Sequence, residues 1–295
     1  MKHWWQKTLV FTFAFFLVIT PMIVNADAAV GDTIITLGED LTEEQKQALL
    51  NEMNATEADE IIYVSNAEEH QYLGSYVAKS KIGTRALSSS KITLTEKGSG
   101  IHVTTNNINW VSEGMYENAL ITAGVEDADV YVTAPITVSG TAALTGIIKA
   151  YEVATDIEIP EEQKQVANEE MVKTAELGES IGVEQATELM NRIKEEIANH
   201  PVESEDDLRE LIRKIAAELG VELTEEELNG LVSLFMRMKD LNIDWNQVQE
   251  QISKVRDNLE EILNREETKG LIESILDFLN QLIDVIRGFF TNNKE

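Results

Sequence analysis

The sequence predicts an α+β or α/β N-terminal domain, with a possible duplicated βαβα unit, followed by an all-α helical domain with a long helical hairpin. Three observations lead there. Strand-like and helix-patterned segments alternate up to about residue 157, as in a sheet with helices packed on it. Beyond residue 158 strand-like runs stop and helical periodicity takes over. The charge balance shifts at the same place: residues 156–295 carry 34 Asp and Glu against 15 Lys and Arg, which suits helices with one solvated face.

The expected organisation is a signal peptide at residues 1–28, an α/β domain at 29–157 and an acidic all-helical domain at 158–295. Lys2 and Lys7 precede an apolar run from 9 to 24, and Ala26 and Ala28 supply small residues at the two positions a signal peptidase reads. A retained anchor is the alternative, but no basic stop-transfer segment follows. Cleavage leaves no stable membrane span and puts the chain outside the cell, either secreted or on the outer face of the envelope.

With no Cys, the chain has no disulfides, thiolate metal sites or lipid-modified cysteine. Export without cysteine fits a Gram-positive envelope. The net charge of -29 repels nucleic acid and anionic membranes. Partners are therefore expected among cell-wall polymers or other envelope proteins, with the oligomeric state open.

Taken in order, residues 32–37 read as a strand ending at Gly38. Thr42 and Gln45 form a capping box for the helix that follows. The continuous apolar run 61–64 reads as a strand buried on both faces, and Asn66 as the cap of a short helix ending at Gly74. Residues 91–96 read as an extra strand joined by a hairpin through 97–100 to a strand at 101–105. Ser112 caps a helix that Gly124 ends. Residues 130–132 are a strand, Pro135 marks a turn, and Ser139 caps the next helix. The stretch 57–65 (Glu-Ala-Asp-Glu-Ile-Ile-Tyr-Val-Ser) is echoed at 126–133 (Glu-Asp-Ala-Asp-Val-Tyr-Val-Thr), which suggests one unit used twice. Chance likeness between two α/β segments is the alternative.

In the helical part, Pro160 opens a helix over about 161–177, and a second covers 183–199. Ser204 caps a third, and Thr224 with Glu227 a fourth. Trp245, Val248, Ile252, Val255, Leu259 and Ile262 step by three and four, a heptad seam. A second seam runs from Ile272 to Phe289, and the two suggest an antiparallel helical pair.

No catalytic or metal-binding motif is present, and no cofactor is expected. The histidines lack metal spacing, there is no calcium loop and no nucleophile elbow. Glu68, Glu69 and His70 read as a solvated helix face. Two places remain as candidate ligand-binding sites for an anion. Between Glu69 and Glu96 there is no Asp or Glu, while Lys79, Lys81, Arg85 and Lys91 fall there. This is a positive island in an acidic chain, with Arg85 as a fork-shaped donor; a solvated, charge-balancing loop is the alternative. Ser139, Gly140 and Thr141 open a helix whose free amides favour an anion, or simply form an ordinary cap.

Several blocks also carry a resemblance: residues 31–38, Gly83-Thr84-Arg85-Ala86, residues 107–111 with Met115 and Tyr116, Ala123-Gly124-Val125, and residues 133–146 with Ser-Gly-Thr-Ala-Ala-Leu. On these the chain resembles the YpuA-like family of exported Gram-positive proteins, a domain of unknown function (number 1002). The resemblance runs from about residue 30 to the helical tail. It implies a secreted or envelope-associated protein and brings no catalytic residues. The expected function is non-enzymatic binding in the cell envelope. The alternative is an envelope hydrolase using carboxylates near Arg85.

Overall fold

The computed structural model describes residues 30–74, 82–241 and 243–264, and of 257–264 the backbone alone. The expected signal peptide, Lys79, Lys81 and the expected seam from Ile272 to Phe289 lie outside the described residues.

Five strands form one mixed sheet: β1 (Thr33–Gly38), β2 (Glu60–Val64), β3 (Ser89–Leu94), β4 (Ile101–Ile108) and β5 (Ala128–Val138), in the order β2-β1-β3-β5-β4. The outer pairs β1/β2 and β4/β5 are parallel. The central strand β3 is antiparallel to β1 and β5. Helix α1 (Glu43–Glu52) connects β1 to β2, and α3 (Glu113–Ala123) connects β4 to β5. Short α2 (Asn66–Leu73) follows β2, and α4 (Thr141–Thr155) follows β5. The expected order β-α-β-α thus occurs on both sides of β3.

Nine helices are described in all. The helical region comprises α5 (Glu161–Ile181), α6 (Val183–Asn199), α7 (Glu205–Glu218), α8 (Glu225–Asp240) and α9 (Trp245–Asn264). Thr42, Ser112, Ser204 and Thr224 cap their helices as the sequence predicts, and at Ser112 and Ser204 too the cap is a full capping box, with Met115 and Asp207.

Five local expectations are corrected. Residues 97–100 do not close a hairpin, because β5 lies between β3 and β4. The connection instead wraps around Asp127 just before β5: its carboxylate accepts from the Gly100 N–H at 2.7 Å, and its carbonyl accepts from the Thr95 N–H at 2.9 Å. Strand β2 is not buried on both faces. It is an edge strand with Ile61 and Tyr63 exposed, because α1 packs toward β5 and leaves that face open. The cap of α2 is Ser65, whose hydroxyl reaches Glu68 N. Pro135 lies within β5, not at a turn. It is tolerated because the β3 pairing stops at Thr133 and the β4 ladder is irregular between Asn106 and Ile108. Helix α5 continues past Gly178 to Ile181.

Alternation along the strands sorts residues to two faces. Ile35, Leu37 and Tyr131 pack under α1 with Leu49 and Met53. Ile34, Ile92, Val103, Val130 and Val132 face the main core with α3 and α4. That core also takes Met171 and Val172 of α5 and Val248 and Ile252 of α9, with Trp245 and Val255 partly buried against it, so the described part of the first seam packs on the sheet unit. A second core joins α6, α7 and α8 through Leu189, Ile193, Ile212, Leu231 and Phe235.

Candidate functional site

Because β1, β2, β4 and β5 run in one direction, their C-terminal ends share an edge of the sheet, where the N-terminus of β3 also lies. In open sheets with helices on their faces, ligands sit at this edge. Here it carries a pocket of about 330 Å³ lined by Glu69, residues 82–85, Leu87, Ser88, Ile136, Val138, Ser139, Gly140, Thr141 and Ala142. The two places singled out in the sequence, the loop of Arg85 and the helix start at 139–141, therefore face the same space.

Glycines and short polar side chains hold both segments there. A side chain at Gly38 would collide with the Ala86 carbonyl, so glycine allows the Arg85 loop to lie on the end of β1. Asp40 fixes that loop by accepting from Ala86 N–H at 2.8 Å. His70 Nε2 meets the Gly83 carbonyl at 3.1 Å, tying the loop to α2. Gly140 adopts φ 95, and a side chain there would strike Tyr116 Oη. Tyr116 instead donates from Oη to the Gly140 carbonyl at 2.5 Å.

Ser139 does not cap α4, contrary to the sequence expectation. The N-cap is Gly140 in the left-handed region, and no side chain caps the first turn. The Ser139 hydroxyl lies 3.2 Å from Thr141 Oγ1. The left-handed turn at Gly140 points the chain so that Ser139 cannot reach back over the helix amides, and that positive end faces the pocket side.

Glu69 was expected on a solvated face but is buried. Its carboxylate accepts from the hydroxyl of Thr141 and, at 3.0 Å, from Asn66 Nδ2. Burial pushes the Glu69 carboxyl above its ordinary range, and those two donors partly oppose the shift. The signal was present in the sequence: Asn66, Glu69 and Leu73 are spaced three and four apart, and buried Leu73 marks that face as the inner one.

Arg85 lies exposed among the lining residues. Lys91 is not at the pocket. It stands on β3 between Ile35 and Tyr131, with Nζ donating to the Met53 carbonyl at 2.9 Å on the α1 face. Among the described residues no group of three His, Cys, Asp or Glu is arranged to hold a metal ion. No described helix is long and apolar enough to cross a membrane.

These features describe a mixed-sheet protein with a polar pocket at the strand ends, backed by an extended helical region. The chain belongs to the family described as protein of unknown function (DUF1002), whose model matches residues 37–255. It is similar to "Uncharacterized protein YpuA" of Bacillus subtilis (strain 168), 49% identical over 291 residues, covering 98% of this chain and 100% of that protein. No solved structure matches the chain.

Proposed function

We propose that this is an exported, non-enzymatic binding protein of the cell envelope that holds an anionic group in the pocket between Arg85 and the start of α4. The observation that carries the reading is convergence: Arg85, the sole cation among the described lining residues, and an uncapped helix start line one pocket at the strand ends. A guanidinium and helix amides are the natural partners of a carboxylate or phosphate on a wall polymer or an envelope protein. Export rests on the pattern of residues 1–28. The two β-α-β-α segments are read as copies of one unit, with the pocket where they meet and the helical region as an interaction arm.

Glu69 shapes the selectivity of such a site. As a carboxylate it competes with an anion for the helix start; as an acid it does not. Its raised pKa also keeps open the hydrolase reading, in which it serves as an acid near Arg85. A two-carboxylate hydrolase needs a second carboxyl group in the cleft, however, and Glu69 is the sole one among the described lining residues.

Thermal melts with rising sulfate or phosphate test the binding reading. The wild-type melting temperature should rise with the logarithm of anion concentration once the site fills. Arg85→Ala should abolish the shift, and Glu69→Gln should enlarge it. An equal shift in Arg85→Ala would defeat the proposal, and reproducible turnover of wall fragments would favour the hydrolase.

A further inference from the structure

A second cleft, independent of Arg85, lies on the far side of α3. It is bounded by edge strand β4, the first turns of α3, one face of α6 and Val255 of α9. Its volume is about 620 Å³, within the range of small-molecule sites. Its walls carry two unusual polar atoms. Asn118 is only 3% exposed, and its Nδ2 has no hydrogen-bond partner among the described residues. Asn191, across the cleft on α6, leaves Oδ1 buried and equally unpartnered. Buried donors and acceptors are nearly always satisfied, so an unmatched donor and acceptor lining one space point to a missing occupant.

The rest of the lining narrows its chemistry. Ile101, Val183 and Val255 offer an apolar wall. Charge comes from carboxylates alone: Glu113 and Glu117 on α3, Glu184 and Glu188 on α6. Glu117 Oε1 accepts from Val103 N–H at 3.2 Å, and Glu113 Oε1 accepts from Thr105 N–H at 2.9 Å. These contacts close the outer edge of β4 to strand addition and leave each carboxylate an oxygen for another donor. Arg256 pairs with Glu195 at 2.8 Å and approaches Glu188 at 3.9 Å, so among the described residues Glu113, Glu117 and Glu184 have no cationic partner.

We propose that this cleft binds a basic residue of a peptide. Its backbone amide would satisfy Asn118 Nδ2 and Asn191 Oδ1, its aliphatic stem would lie on the apolar wall, and its cation would meet Glu117. An amide presents one acceptor and one donor, matching the two orphaned atoms. A lysine stem buries methylenes while its ammonium seeks a carboxylate.

The test is NMR titration of the ¹⁵N-labelled chain with Nα-acetyl-lysine N-methylamide, and in parallel with its norleucine counterpart, which lacks the cation. The lysine probe should shift the backbone and side-chain amides of Asn118 and Asn191 and the amide of Val103. The norleucine probe, and the lysine probe on Glu117→Gln, should bind at least about tenfold more weakly, the loss of one charge-assisted contact. Arg85→Ala should leave the titration unchanged, which separates this site from the first. Equal binding of the two probes, no shifts in the folded wild-type chain, or shifts confined to the Arg85 pocket would each overturn the proposal. The probe comparison needs no variant, so a poorly folded substitution does not obscure it.

Discussion

At the scale of single residues, one carboxyl group in each of the two clefts stands apart from the many solvated ones. Glu69 and Glu117 are both raised by burial. Burial pushes Glu117 up to about 7, with Glu113 adding repulsion and the Val103 N–H opposing. The groups facing it are Glu113 on its own helix, Glu184 and Glu188 on α6, and His102 on β4. The raised value makes the folded chain bind this proton more tightly than the unfolded chain. Stability associated with Glu117 is therefore fully present below about 4.5 and is lost as pH rises through about 7. Glu117→Gln removes the titration while keeping an acceptor for Val103. Its stability relative to wild type should rise by about 1–2 kcal/mol between pH 5 and pH 8, after discounting for a half-buried side chain. Urea midpoints across that range check this, and a pH-independent difference would contradict it. Glu117 was not legible as special in the sequence, because isolated Glu residues abound; the spacing of Glu69 to Leu73 put it on an inner face, but only packing decided that it lost water.

At the scale of elements, the helix pairings depend on a polar contact inside the core. Lys194 of α6 and Glu170 of α5 are both buried, with Nζ 2.6 Å from Oε1. Lys194 also donates to the Asn118 carbonyl at 2.9 Å and to Thr122 Oγ1 at 3.1 Å on α3, and the Thr122 hydroxyl also meets Glu170. Burial drives Glu170 up and Lys194 down, each opposed by the other's charge. One ion pair thus joins three helices from both sides of residue 158. Lys194→Met leaves the carboxyl buried without its partner and should cost about 3–5 kcal/mol; replacing both partners by apolar residues should recover much of the loss. Chemical denaturation of the single and double variants measures this. Caps were readable at this scale because they are local: Thr42, Ser112, Ser204 and Thr224 act within one turn. The Ser139 cap failed for an equally physical reason, since Gly140 turned left-handed to fit beneath Tyr116.

At the scale of the whole molecule, the main core takes side chains from the sheet, α5 and α9 together. A cavity made in α9 should therefore be felt in the sheet. Ile252→Ala should cost about 2–5 kcal/mol and should lower the melting of strand and helix signals as one transition. Far-ultraviolet circular dichroism compared with tryptophan fluorescence from Trp110 and Trp245 checks it. Two transitions, only one of them displaced, would show that the regions unfold separately.

The sequence by itself determined the alternation of strands and helices, the change to helices after residue 158, and four helix caps, two of them as capping boxes. Each of these is written in spacing of a few residues, where turn and helix geometry act directly. Only the tertiary structure decided the strand order, which inserts β5 between β3 and β4, and the removal of Lys91 to the opposite face. It alone decided the burial of Glu69, the Glu170–Lys194 pair and the orphaned Asn118 and Asn191. Those outcomes depend on residues of different elements meeting in a packed interior. Desolvation and steric fit there are set by neighbours that local pattern does not name.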